Sequence, residues 1–374
     1  MLIVFVSHLE VILPLPTLLV VPGGTVSLDS FFVLSGFLIT ALLLREQAKD
    51  GRIGKLAFYR RRIMRLLPAL AVVVLATSLF AYFTGTWTSR HPASILSVSF
   101  YYSNYYVAAS PNVFCDNLAP GFQHLWSLSF EEQFYLVWPW ITIALLSIRT
   151  RLRTVVIILL SLIALVAIHR ALAYQGTQSW CALFHRTDTR ADSILWGALL
   201  AHIWVRGREP KKGVVVVAWI AAAFLLVCLP LSNLMGPFLY RGGLVGIDLA
   251  CAVLLLAILD ARWAGRWLFE LKPFVALGLV SYGFYLWHMP VFYVVQHYDS
   301  GWSDPVRVIV ALVGTLVLTL LSWFLLERPL MNWKNRLEST RRSSPVPTPL
   351  VQEPDSSTRS PVVEPSVNGA ADPP

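Results

Sequence analysis

Asp29-Ser-Phe-Phe-Val-Leu-Ser-Gly-Phe-Leu-Ile-Thr-Ala-Leu-Leu-Leu-Arg45 runs on toward a second stretch, Arg60-Arg-Arg-Ile-Met-Arg-Leu-Leu-Pro68. The first stretch is an apolar helix long enough to enter a bilayer. The second is a dense patch of positive charge at the surface where that helix ends. Together they suit a protein that takes an anionic ligand from the aqueous side and presents it to chemistry inside the membrane.

The rest of the chain repeats the pattern. Of 374 residues, 56% are hydrophobic and 14% charged, against about a quarter charged in a soluble domain. Apolar runs of roughly 20 residues recur along the whole length, which excludes an ordinary soluble domain. The net charge of +9 would suit a nucleic-acid partner in a soluble protein. Here the basic residues sit in short loops between apolar runs, the positive-inside pattern, so a lipid bilayer and no nucleic acid is expected as partner.

Helices are expected over about 1–21, 28–44, 66–83, 126–148, 154–174, 191–205, 214–231, 244–259, 273–295 and 306–326. The first is read as the remainder of a helix that starts upstream of Met1. It lacks the basic n-region and cleavage site of a signal peptide. Pro68 is expected in the first turn of its helix, where its missing N–H costs nothing. Basic clusters at Arg45–Arg65, Arg149–Arg153, Arg206–Lys212, Arg262–Lys272 and Arg328–Arg342 all fall on the side that an alternating path makes cytoplasmic. The fold class is thus all-α, a polytopic transmembrane bundle of about ten helices in the inner (plasma) membrane, both termini cytoplasmic. Residues 1–338 form the transmembrane domain. Residues 339–374, rich in Pro and Ser, are expected to be a disordered cytoplasmic tail that cannot bury enough surface to offset its ordering entropy.

The segment 84–125, with Phe100-Tyr-Tyr-Ser-Asn-Tyr-Tyr106, is placed outside and partly in the interface. The outside loops hold Cys115 and Cys181, one each. A disulfide and two free thiols both stay open. The four cysteines show no metal-ligand spacing, and no metal is expected.

Ionisable groups at membrane depth are costly and mark candidate sites. His8 is one, with Glu10 beside it. Its ordinary pKa suits a general base, although a histidine hydrogen-bonded within the bundle looks the same in sequence. Asp29 either caps a helix or serves the site. Arg60, Arg61, Arg62 and Arg65 either grip phosphates or only set topology. Glu131 and Glu132 are adjacent, so at most one faces a given cavity; either could instead pair with a basic residue. His288 lies mid-helix before Pro290, which is expected to kink the helix. No Gly-rich phosphate loop, GxSxG elbow or zinc spacing occurs.

These pieces resemble the acyltransferase-three family of integral membrane O-acyltransferases over about residues 1–335. The resemblance rests on Asp29 with Phe31–Ile39, and on Phe58-Tyr59 with Arg61, Arg62, Arg65 and Leu66-Leu67-Pro68. It continues through Asn104, Trp126–Ser129, Glu131–Tyr135 and Trp138-Pro139, then Arg190-Ala191-Asp192 with Gly197. It ends with Ser281-Tyr282, Tyr285–His288 and Glu327-Arg328-Pro329. It implies transfer of an acyl group, often acetyl, from acyl-CoA to a hydroxyl of a carbohydrate, glycolipid or macrolide acceptor. The family pattern pairs a first-helix His, here His8, with a basic residue eleven positions earlier, a place that lies before Met1. Its Arg-x-x-Arg pair maps onto Arg62 and Arg65. On this reading His8 is the general base, and Arg62 and Arg65, with Arg61 beside them, hold the CoA phosphates. Asp29 and one of Glu131 or Glu132 orient the acceptor or hold a basic partner. A transporter of an anionic or glycan-linked substrate is the alternative from another class, and a non-catalytic membrane scaffold a third.

Overall fold

Charge and small residues decide how the helices pack. A computed structural model describes residues 1–13, 23–112, 114–147, 150–176, 179–206, 213–231, 236–260 and 262–332. The expected tail at 339–374 and the cluster at 207–212 lie outside the described residues, apart from Arg206. Among the described residues every regular element is helical. In chain order they are α1 (Leu2–Ser7), α2 (Gly24–Asp50), α3 (Lys55–Phe83), α4 (Arg90–Ser99), α5 (Ser103–Ala108), α6 (Trp126–Ser147), α7 (Leu152–Ala173) and α8 (Trp180–His185). Then come α9 (Thr187–Val205), α10 (Gly213–Leu231), α11 (Leu244–Ile258), α12 (Arg266–Glu270), α13 (Lys272–Leu279), α14 (Ser281–Tyr298) and α15 (Asp304–Ser322).

Among the described residues, six helical stretches are long and apolar enough to cross a membrane: α2, α3, α7, α10, Leu239–Ile258 and Asp304–Asn332. The pair α13–α14, bent by 71°, makes a seventh if it is one span. The expected ten is therefore approximate. All ten expected segments are helical in at least part of their described residues, but α1 is short, and α6 and α9 carry the polar and charged residues that an apolar span lacks. α9 is buried along most of its length, whereas α6 keeps Leu136, Val137, Trp140 and Ile141 exposed. In α2, 61% of the spanning window is buried, against 17% in the last span, so α2 is central and α15 peripheral.

Four local expectations change. Arg60, Arg61, Arg62 and Arg65 lie on a helix, because α3 begins at Lys55 rather than near Leu66. Pro68 therefore sits well inside α3, where it gives up one backbone hydrogen bond, and not in a first turn. The bend expected at Pro290 occurs instead at Val280, between α13 and α14, and Pro290 lies within a continuous helix. Asp29 is in the second turn of α2, not at its cap, which is Gly23.

α2 packs most extensively on α9. Gly36 and Gly197 make the crossing close. A Cβ on Gly36 would strike the carbonyl oxygen of Ile194, and one on Gly197 that of Val33. Two small residues at a helix crossing let the backbones approach, as is common in membranes.

The segment 84–125 is packed into the protein more deeply than a surface loop. His91, Ser94, Ser97, Ser103 and Asn104 are fully buried, whereas Phe100, Tyr102 and Tyr105 stay exposed as an interfacial segment would have them. Ser103 bonds Ser129 of α6 at 2.7 Å, and Asn104 reaches Gln133 at 2.9 Å. A disulfide joins Cys115 to Cys181 in the first turn of α8, over a sequence separation of 66. Mass mapping without reductant is expected to recover the two in one linked peptide pair. Reduction is expected to cost about 2–4 kcal/mol, because the bridge restricts a long loop in the unfolded chain. Two free thiols in the untreated protein would remove the bridge.

Candidate active site

A cavity of about 380 Å³ runs along α2. Its α2 wall extends from Leu28 to Leu42, fourteen residue steps or about 21 Å at the helical rise. At one end it meets Met1 and Val4 of α1, with Ser127 and Tyr285. At the other it meets Arg62, Arg65 and Glu131. The wall between is mostly leucine, isoleucine and phenylalanine, so the two polar ends are joined by an apolar channel.

At the basic end, α3 and α6 face each other. Arg62 Nε donates to Glu132 Oε1 at 3.1 Å, and its guanidinium lies 3.0 Å from the centre of the Tyr135 ring. The Tyr135 hydroxyl donates to Glu131 Oε2 at 2.8 Å. Arg62, Tyr135 and the two carboxylates thus form one chain of contacts. Glu131 alone of the pair walls the large cavity. Both glutamates border a recess of about 40 Å³ beside it, with Tyr101 and Tyr282. Arg65 also walls the cavity and makes no ion pair among the described residues. Arg61 does not reach it; its guanidinium pairs with Glu46 of α2 at 3.2 Å. The three arginines therefore divide into one open cation, one paired at the cavity and one bound to the neighbouring helix.

At the other end, His8 follows α1 by one residue, one turn beyond the cavity-lining Val4. Its Nδ1 lies 2.9 Å from the Val4 carbonyl and 3.3 Å from Nε2 of His288. His288 in turn lies against His124, ring centres 4.8 Å apart. The Tyr285 hydroxyl bonds Ser127 Oγ and the His124 carbonyl, each at 2.5 Å. Two histidines that the sequence offers as alternatives are therefore in contact. His124, which the sequence reading passed over, is the third member. Its only signal was its place two residues ahead of the Trp126–Ser129 motif. Glu10 is exposed and takes no part.

Asp29 is not at the cavity. It is fully buried and pairs with Arg190 of α9. Beside it, Arg170 of α7 grips Asp192 with two bonds of 2.7 and 2.8 Å, and Ser193 bonds Asp248 of α11 at 3.0 Å. All five charged residues are 0% exposed. Of the two roles the sequence allowed Asp29, the geometry supports holding a basic partner. Arg170 and Asp248 were legible in principle, since each is an ionisable residue inside an apolar run. Among the described residues, no group of three or more His, Cys, Asp or Glu is placed to hold a metal ion.

The family model for the acyltransferase domain matches residues 1–327. The peptidoglycan O-acetyltransferase OatA of Listeria monocytogenes is 30% identical over 320 residues, covering 82% of this chain and 51% of that protein. The O-acetyltransferase OatA of Staphylococcus aureus is 31% identical over 323 residues, covering 82% and 53%. The chain thus spans about half the length of the curated relatives it matches. No solved structure matches it significantly.

Proposed function

The chain belongs to the acyltransferase domain family, and we propose that it is a membrane O-acetyltransferase that moves an acetyl group from acetyl-CoA to a hydroxyl of a cell-envelope sugar. The observation that carries the reading is the cavity: one end is cationic, an apolar wall follows, and the other end is lined by Val4, whose carbonyl holds the His8 ring one turn further on. The chemistry needs these parts. The donor carries phosphates at one end and a thioester at the other. Arg65, with Arg62 beside it, attracts the phosphates from the cytoplasmic side. The apolar wall admits the thin acyl-bearing arm and excludes water. At the far end His8 takes the proton of the acceptor hydroxyl as its oxygen bonds to the thioester carbonyl. The carbon–sulfur bond then breaks, an ester forms, and CoA leaves as the thiolate. No metal is invoked, since a thioester is already activated.

The acceptor class is taken from the names of the relatives, one of which is a peptidoglycan O-acetyltransferase, so peptidoglycan is the first acceptor to test; glycolipid and macrolide acceptors have no comparable support. The transporter and scaffold alternatives gain nothing from the comparisons. The reading keeps the protein in the plasma membrane with both termini cytoplasmic. The basic residues of α2 and α3 then face the cytoplasm, and the disulfide lies on the opposite, oxidising side.

The test is transfer in proteoliposomes holding the full chain, with acetyl-labelled CoA and muropeptides as acceptor. Base-labile label on the sugar is expected; its absence with every carbohydrate offered would overturn the reading. In the same assay Arg65→Ala is expected to raise KM for acetyl-CoA by about tenfold with little change in kcat, the loss of one charge-assisted phosphate bond. An unchanged KM in correctly inserted protein would assign the cluster to topology alone.

A further inference from the structure

We propose that His288 is a positioning residue that, together with the Val4 carbonyl, holds the Nδ1-protonated tautomer and the ring orientation of His8, so that Nε2 is the nitrogen that acts as the base. The proposal rests on His8 being that base. It follows from counting protons along a short chain of contacts.

A carbonyl oxygen only accepts. His288 Nδ1 lies 2.6 Å from the Tyr285 carbonyl, so Nδ1 carries the proton and Nε2 carries the lone pair. His8 Nδ1 lies 2.9 Å from the Val4 carbonyl, so it too carries the proton. That N–H is shared between the Val4 oxygen and the lone pair of His288 Nε2, 3.3 Å away. Every contact in the chain is then satisfied with both rings neutral. Nε2 of His8 is left with its lone pair, the state a general base needs.

The arrangement does for His8 what a carboxylate does for a catalytic imidazole elsewhere: it holds one tautomer and one ring orientation. A neutral acceptor does this with less electrostatic pull than a carboxylate. No carboxylate hydrogen-bonds either ring among the described residues; the other titratable groups facing the pair are His124 and Tyr285. Neither ring nitrogen of His124 has a hydrogen-bond partner, so His124 does not compete for Nε2 of His288. His288 itself is almost fully buried and is fixed by its own helix through Tyr285. Its position is set before substrate arrives.

The experiment combines kinetics with ¹⁵N spectra of ring-labelled histidine in the full chain in nanodiscs. The wild-type His8 signal is expected to show Nδ1 protonated and Nε2 bare. His288→Phe keeps the ring shape but removes the acceptor. It is expected to lower kcat by about tenfold or more, leave both KM values unchanged and, with Val4 as the one acceptor left to Nδ1, raise the share of Nε2-protonated His8 above that of the wild type. His288→Gln, whose amide oxygen can accept in place of Nε2, is expected to restore most of kcat. A wild-type His8 protonated on Nε2, or a His288→Phe enzyme within about twofold of wild-type kcat, overturns the proposal. The spectrum of the unmodified protein reads the tautomer even if a variant does not fold. If His8→Ala itself keeps full activity, the base reading fails instead, and the two failures are told apart.

Discussion

His8→Ala is expected to cut acetyl transfer by at least about a hundredfold while leaving acetyl-CoA binding intact. A hydroxyl is a poor nucleophile at neutral pH, and a positioned general base contributes about 10²–10⁴-fold. His8 is the candidate because it ends α1 one turn past the cavity wall, with its Nδ1 committed to Val4 and His288. His8→Gln should not restore the rate, since an amide can hydrogen-bond but cannot take the proton. The matched substitution His288→Ala should cost less, because it disturbs the orientation of the base and not its identity. The measurement is single-turnover transfer from labelled acetyl-CoA, which separates chemistry from product release. A His8→Ala enzyme with more than about a tenth of the wild-type rate, beside an inactive His288→Ala, would move the base to His288.

Much of this site could be read from the chain, and the physical limit on the rest is plain. His8, Asp29, the Arg62–Arg65 pair and the Glu131–Glu132 pair stand out because charge at membrane depth is costly wherever it occurs. That rule gives membership and not partnership. Asp29 finds Arg190, 161 residues away, and His8 finds His288, 280 residues away; no local period encodes either contact. Glu131 and Glu132 were expected to look different ways, and the large cavity indeed sees only Glu131. The smaller recess touches both, because the wall there is built from three helices and not from one helix face. The long start of α3 escaped for a different reason. Hydropathy marks where a helix leaves lipid, not where it ends, so eleven residues from Lys55 to Arg65 looked like loop. The family motifs supplied what periodicity could not, the order and spacing of residues that meet only in three dimensions.

The buried charges between α2, α7, α9 and α11 carry the largest expected effect on stability. Asp192→Ala leaves the Arg170 guanidinium, 0% exposed, with only the Thr189 carbonyl as hydrogen-bond partner among the described residues, and Arg170→Ala takes from the equally buried Asp192 both of its bonds to Arg170. Breaking one side of a buried pair costs about 3–5 kcal/mol, since the remaining charge loses its hydrogen-bonded partner away from water; for Arg170, Asp248 and Asp29 are then the counter-charges left, without a hydrogen bond to it among the described residues. The double substitution Arg170→Met with Asp192→Leu removes both charges at similar volume and is expected to cost clearly less than either single change. Thermal unfolding of the four proteins in one detergent gives the cycle, and the coupling energy isolates the pair from the packing of α7 on α9. Single changes within about 0.5 kcal/mol of wild type would show that the pair does not hold the helices. The consequence reaches the active site through one further contact. Arg190, two residues before Asp192 on α9, holds Asp29, one residue after the cavity-lining Leu28 on α2. A helix α9 that loses its grip on α7 can shift the α2 wall of the cavity, so the single substitutions are expected to lower activity in the fraction that stays folded, and the double substitution to recover it.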